Sequence, residues 1–186
     1  MKILAVMTSP RKGGNTDTLL NKAVEGCCEA GAQVEKVVLR DCDLEMCISC
    51  HKCAEAKKCV VHPHVNEILD KIKAADGVLL ATPVWWFTVS TYLKALMDHF
   101  IVFMNRDDYS CRIPHKRFAV ISVCGAPADA GMSEQANEHL RNILSFMRSD
   151  YRGVVAASGV NEAGEIASDT QAMNAAFELG KKLAAQ

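Results

Sequence analysis

The sequence predicts an α/β protein: a doubly wound, five-stranded parallel sheet with helices on both faces. Two observations carry that prediction. Five short runs, at residues 2–7, 34–39, 77–81, 118–123 and 153–157, are largely apolar without strict alternation, as strands covered on both faces are. Stretches with apolar residues at helical spacing stand between them, and strands alternating with helices are the order a parallel sheet requires.

Each element has its own signal. The first strand, Lys2 to Met7, passes into Thr8–Thr16 and then a helix over Asp17–Ala30, with Leu19, Leu20, Ala23, Val24 and Cys27 as its stripe and Gly31 as its stop. Val34–Leu39 is the second strand. A cysteine-rich loop at about 42–62 precedes a helix over Val65–Ala74, where Ile68, Leu69 and Ile72 share a face. Gly77–Ala81 is the third strand. The helix after it, Ser90–Phe103, is apolar on several faces, which fits burial against a neighbouring subunit; Lys94 and Asp98 on it are spaced for an ion pair. Asn105–Pro114 reads as a loop and Phe118–Val123 as the fourth strand. A helix follows over Ser133–Ser149, with Glu134 and Glu138 where the dipole favours negative charge. Gly153–Ala157 is the fifth strand, and a helix over Ser168–Ala185 closes the sequence. With no repeat or linker, residues 1–186 read as one domain.

Composition narrows the function classes. The 186 residues are 49% hydrophobic and 23% charged, ordinary for a globular protein. A net charge of −1 gives no electrostatic case for nucleic acid or a membrane surface. The start lacks the apolar core of a signal peptide, and no stretch approaches a membrane span, so the expected location is cytoplasmic. Nine cysteines in a reducing compartment argue for metal or redox chemistry over disulfides. Cys27, Cys28 and Cys111 read as buried or incidental thiols and Cys42 as packing at the end of the second strand.

Ligands on such sheets bind at the carboxyl ends of the strands, beside a topological switch point. Three loops fall there: Thr8–Thr16, Thr82–Thr88 and Cys124–Pro127. The first joins a strand to a helix N-terminus, where free N–H groups and the dipole suit a phosphate. Ser9, Asn15 and Thr16 add donors, Arg11 and Lys12 charge, and Gly13-Gly14 close approach. It matches neither the Walker nor the dinucleotide fingerprint. The second loop puts Pro83, Val84, Trp85 and Trp86 together, a surface for a flat heteroaromatic ring or for core packing.

The cysteines of the long loop, Cys47, Cys50, Cys53 and Cys59, run C-x2-C-x2-C-x5-C. That rhythm suits a cubane cluster whose four irons each take one thiolate. Zinc sites normally pair two hairpins across a longer span, which fits less well. His51, His62 and His64 lie nearby but read as surface or hydrogen-bonding residues.

Ser-Pro-Arg-Lys-Gly-Gly-Asn-Thr after the first strand, Thr-Pro-Val-Trp-Trp after the third and Lys94-Ala-Leu-Met-Asp98 on the next helix resemble the flavodoxin-like, NAD(P)H-dependent FMN reductase superfamily. With the four cysteines between the second strand and its helix, the chain most resembles the iron–sulfur flavoprotein branch. The likeness runs nearly end to end, through Gly164-Glu-Ile166. It implies an FMN phosphate in the first loop, at Ser9, Arg11, Gly14, Asn15 and Thr16. It also implies an isoalloxazine ring at Pro83, Val84, Trp85 and Trp86 with Gly125 nearby, and a [4Fe-4S] cluster on Cys47, Cys50, Cys53 and Cys59. Three positions depart from the family pattern: Trp85 stands where Tyr is frequent, Val61-His62-Pro63-His64 replaces Asp-Asp-Met, and His99 replaces an arginine.

The resemblance implies an FMN-dependent oxidoreductase passing electrons from ferredoxin or NAD(P)H to a small acceptor, with the chemistry on the flavin and no catalytic side chain. FMN handles electrons in pairs or singly and a cluster singly, so together they convert between the two kinds of carrier. Flavin sites in this superfamily are commonly completed by a second subunit, so a homodimer or homotetramer is implied. Similar cysteines also occur there without a cluster, which leaves a cluster-free NAD(P)H-dependent FMN or quinone reductase as the alternative. A non-catalytic redox or metal sensor is the third reading.

Overall fold

The computed structural model describes residues 1–185. Its strands are β1 (Lys2–Met7), β2 (Gln33–Val38), β3 (Gly77–Trp85), β4 (Thr88–Val89), β5 (Arg117–Val123) and β6 (Asp150–Ala157). Its helices are α1 (Asn15–Glu29), α2 (Cys53–Ala56), α3 (Val65–Ala74), α4 (Thr91–Asp98), α5 (Met132–Phe146) and α6 (Thr170–Ala184), with 3-10 turns at Leu39–Asp41, His99–Phe103 and Glu165–Ser168 among the links. Five strands form the expected parallel sheet in the order β2-β1-β3-β5-β6. The chain steps outward from β1 to β2, then returns to the far side of β1, so the switch point lies between β1 and β3.

The sheet divides two cores, which explains the lack of strict polar alternation in its strands. Leu4, Val6, Val78, Leu80, Phe118 and Val120 face α3, α4 and α5. Ile3, Ala5, Leu79, Ala81, Ala119 and Ile121 face α1 and α6. The two helices of the second layer meet through glycine. A Cβ on Gly26 would stand 2.0 Å from the Phe177 carbonyl oxygen, and one on Gly180 would stand 1.9 Å from that of Ala23. The same contact buries Cys27, whose thiol donates to the Gly180 carbonyl at 3.3 Å and is pushed by burial up to about 12. A thiol that stays protonated and enclosed is inert, as its sequence context implies.

The structure differs from the sequence expectation at two places. The helix expected over 90–103 ends at Asp98 and tightens into a 3-10 turn, and its surplus apolar faces are covered within the chain. His99, Phe100, Val102 and Phe103 are buried there, leaving Ile101 exposed. A neighbouring subunit is therefore not needed to account for that apolar content. The third strand continues past Ala81 to Trp85 and folds back as a hairpin with β4, the sheet's antiparallel addition. Lys94 and Asp98 do pair, at 2.5 Å on the exposed face of α4. Among the described residues no helix is long and apolar enough to cross a membrane.

Candidate functional site

At the switch point the loops after β1, β3 and β5 enclose a cavity of about 230 Å³. Ser9, Arg11, Gly14, Asn15 and Thr16 line it from the first loop, Pro83, Val84 and Trp85 from the second, and Gly125 from the third. Trp86 is not among them; it points to solvent, 88% exposed. A fourth loop, after β6, adds Val160, Asn161 and Ala163. Sequence reasoning missed these three, although the same carboxyl-edge rule applies to β6, and Ser158-Gly159 marks the strand's end.

The first loop is shaped for an anion. Gly14 precedes α1 in extended conformation and provides no side-chain cap, so the first-turn N–H groups remain available. A Cβ there would sit 3.2 Å from that of Arg11, so glycine keeps the cradle open. Gly13 turns the chain with φ +68°, and its N–H donates to Asp17 at 2.9 Å. Ser9 accepts from the Arg11 N–H at 3.2 Å, and Arg40 donates to the Pro10 carbonyl at 2.6 Å. Lys12 is engaged by Asp41 at 2.8 Å. The Asn15 side chain is spent on bracing: Nδ2 donates to the Glu162 carbonyl at 2.9 Å and Oδ1 accepts from the Ile166 N–H at 3.2 Å. Its amide ties the fourth loop to the first.

The hairpin is anchored below by buried hydroxyls. Thr8 donates through Oγ1 to the Ala81 carbonyl at 2.9 Å, and Ser90 donates to the Thr8 carbonyl at 2.9 Å while capping α4. Thr82 Oγ1 accepts from the Ser90 N–H at 3.1 Å. Above this floor Trp85 pairs with Thr88 across a two-residue turn, Trp86-Phe87, with φ of +50° and +63°. Two left-handed residues make the turn that suits strand twist, but Asn-Gly is its usual sequence. Residues other than glycine held there cost on the order of 1–3 kcal/mol each, a strain found at functional sites.

A second cavity, of about 300 Å³, lies between the cysteine loop and the 3-10 turn that follows α4. Cys47, Cys50, Cys53 and Cys59 all line it, with His62, His99 and Val102. Ser49 and His51 adopt positive φ on either side of Cys50, so the loop reverses sharply between the first three cysteines. The Cys53 thiol is pushed up, first by burial and then also by the neighbouring Cys47, Cys50 and Cys59 sulfurs. Thiolates gathered there repel one another, and a cationic metal centre removes that penalty. The His62 N–H points at Cys59 Sγ, 3.4 Å away. Among the described residues no three Cys, His, Asp or Glu side chains converge closely enough to enclose a metal ion, so the four thiols ring the cavity.

The sequence profile of NADPH-dependent FMN reductases matches residues 1–169. The chain belongs to the NADPH-dependent FMN reductase family. An iron-sulfur flavoprotein of Methanocaldococcus jannaschii is 33% identical, covering 99% of this chain and 96% of its own length. A putative NAD(P)H-dependent FMN-containing oxidoreductase of Bacillus subtilis is 30% identical and covers 98% of both chains. Among solved structures, an NAD(P)H:quinone oxidoreductase from Methanothermobacter marburgensis superposes with TM-score 0.79 at 18% identity, over 100% of this chain and 97% of that one, which shows a shared fold.

As an FMN reductase family member the protein is an FMN-dependent oxidoreductase. The switch-point cleft fits FMN on two observations of its own. The uncapped α1 N-terminus supplies anion donors, and glycine stands at both places, 14 and 125, where a Cβ would intrude. At Gly125 a Cβ would stand 2.2 Å from Asn161 Oδ1 and displace that side chain. The cysteine cavity fits an iron–sulfur cluster by donor chemistry, four soft thiols around one space. The two cavities share no lining residue.

Proposed function

We propose that FMN lies in the switch-point cleft, with its phosphate on the α1 N-terminus among Ser9, Arg11, Gly14, Asn15 and Thr16. Its ring rests against Pro83, Val84 and Trp85, with Gly125 at the edge and Trp86 above. Cys47, Cys50, Cys53 and Cys59 hold a [4Fe-4S] cluster, and the protein relays electrons from ferredoxin or NAD(P)H to a small acceptor. Bound FMN supplies the exchange between paired and single electrons. The chain's own residues bind the phosphate, fix the ring plane and keep water from one of its faces. The observation that carries this reading is that four cysteines of one loop line a single cavity, apart from the flavin cleft. The iron–sulfur flavoprotein likeness supports it.

A second reading is a cluster-free NAD(P)H-dependent reductase. The thiols ringing their cavity without converging, and the likeness to the Bacillus protein, favour it. Absorption of anaerobically purified protein, with iron and acid-labile sulfide assays, decides between them. Flavin bands over a broad shoulder that bleaches on reduction, lost with the iron in Cys50→Ala while FMN stays, support the relay. Flavin bands without iron or sulfide support the second reading. Trp86 and Phe87, exposed at the mouth of the cleft, suit cover by a second copy of the chain in a homo-oligomer.

A further inference from the structure

The backbone of Cys59 is clamped on both sides by one residue. Its N–H donates to Asn66 Oδ1 at 2.8 Å, and the Asn66 amide donates back to the Cys59 carbonyl at 2.8 Å and to the Pro63 carbonyl at 3.0 Å. Asn66 is the second residue of α3, whose Ile68 and Leu69 are buried in the core that Cys59 packs against. One side chain thus ties the turn from Cys59 to Pro63 to a core helix. Inside that turn the His62 N–H donates to Cys59 Sγ at 3.4 Å.

The donor is anchored from its other side as well. The His62 ring meets the Glu45 carboxylate through Nδ1, and His99 packs edge-on against it, with centroids 6.3 Å apart and planes at 84°. His99 is 1% exposed, and its Nε2 contacts the Glu45 carbonyl oxygen at 2.8 Å. Pro63 restricts the backbone of His62 from the following position. The N–H therefore stands between two anchors, Asn66 behind the turn and Glu45 with His99 beside its ring.

A neutral thiol gains little from such a bond and a thiolate gains more, since hydrogen bonds to an ionised acceptor are about twice as strong. An N–H aimed at a ligand sulfur favours the state that carries more negative charge. On an iron–sulfur cluster that is the reduced state, so the bond raises the reduction potential.

We infer that the His62 N–H donates to the ligand sulfur of Cys59 and raises the reduction potential of the cluster, with Asn66 as the positioning residue. Each iron keeps its one thiolate, because the donor acts on a sulfur and not on the metal. The inference rests on the reading that Cys47, Cys50, Cys53 and Cys59 hold a [4Fe-4S] cluster, and it names two residues outside the cysteine motif that tune it.

The test uses the full chain, reconstituted anaerobically with iron and sulfide, and reads the cluster's midpoint potential by redox titration followed by electron paramagnetic resonance. His62→Pro removes the N–H, which any other residue would keep, and Asn66→Ala frees the turn that aims it. Each should lower the potential by about 59 mV, a tenfold change in a one-electron equilibrium. His62→Ala keeps the N–H and should lower it less. Iron content, FMN affinity and the flavin potential should stay at wild-type values, which shows that the variants fold; if His62→Pro does not, Asn66→Ala decides. An unmoved potential in Asn66→Ala, or an equal drop in His62→Ala and His62→Pro, would overturn the inference while the cluster stands. A wild type that takes up FMN but no iron and sulfide would overturn the cluster reading, and this inference with it.

Discussion

Asn15 and Glu162 are joined across 147 residues by a 2.9 Å hydrogen bond from the Asn15 amide to the Glu162 carbonyl. The same side chain accepts from the Ile166 N–H at 3.2 Å. One buried amide thus fixes the loop after β6 against the first turn of α1, and it does so where two walls of the switch-point cleft meet.

Asn15→Ala leaves a buried N–H and a carbonyl without partners, so a loss of about 1–3 kcal/mol in stability is expected. FMN affinity should fall about tenfold, equivalent to about 1.4 kcal/mol, because the cleft loses a wall as well as a hydrogen bond. Urea unfolding and flavin fluorescence titration measure the two effects. Unchanged values in both would mean that the brace is idle.

Gly125 and Asn161 are predicted to be coupled. The Asn161 amide donates to the Gly125 carbonyl at 3.0 Å and its oxygen fills the place a Cβ would take. Gly125→Ala must displace Asn161 and should weaken FMN binding about tenfold, and adding Asn161→Ala should recover part of that loss. Strict additivity of the two changes in a double-mutant cycle would refute the contact.

Much of this architecture is legible in the residues themselves. The first three cleft loops announce themselves because each breaks an apolar strand with glycine, proline, hydroxyls or tryptophan. The fourth does not: Val160 and Ala163 carry no chemical signal, and their role follows only from the place of β6 in the sheet order. The Trp86-Phe87 turn is hidden for the opposite reason, since neither residue favours left-handed backbone, and tertiary context imposes it. The end of α4 at Asp98 is likewise set by burial of His99, Phe100 and Phe103, with no proline or glycine to mark it. The link from Glu45 to His62 and His99 spans as many as 54 residues and has no local signature.

Trp86→Ser tests the exposed aromatic at the cleft mouth. Within one chain this side chain loses almost nothing, so unfolding free energy should stay within about 0.5 kcal/mol of wild type. Sedimentation velocity should show weaker self-association if a second copy covers it. Identical sedimentation of the two proteins would remove Trp86 from any subunit contact.

The glycine contact between α1 and α6 should tolerate no side chain. Gly26→Ala and Gly180→Ala each push a methyl group to within about 2 Å of a backbone carbonyl, and backbone cannot rotate aside. Each should lose about 3 kcal/mol or more, the upper end for overpacking. Because α1 carries the anion cradle at its other end, thermal denaturation should show less added stability from FMN in these variants. A melting temperature within a degree of wild type would show that the helices can separate freely.

Asp17 supplies a pH dependence with a definite sign. Burial alone pushes its carboxyl up, but the Lys36 ammonium at 2.5 Å and the Gly13 N–H at 2.9 Å outweigh that, and the net shift is downward. A carboxyl lowered in the folded state adds stability that is fully present above its unfolded value, about 3.9, and is lost as pH falls through the folded value. Asp17→Asn should therefore cost about 1 kcal/mol at neutral pH, allowing for the partly exposed lysine, and progressively less below about pH 4. Urea unfolding of both proteins from pH 7 down to the acid limit measures the gap. A gap that stays constant into strong acid would assign the loss to packing and not to the charge that holds Gly13, and with it the first loop, in place.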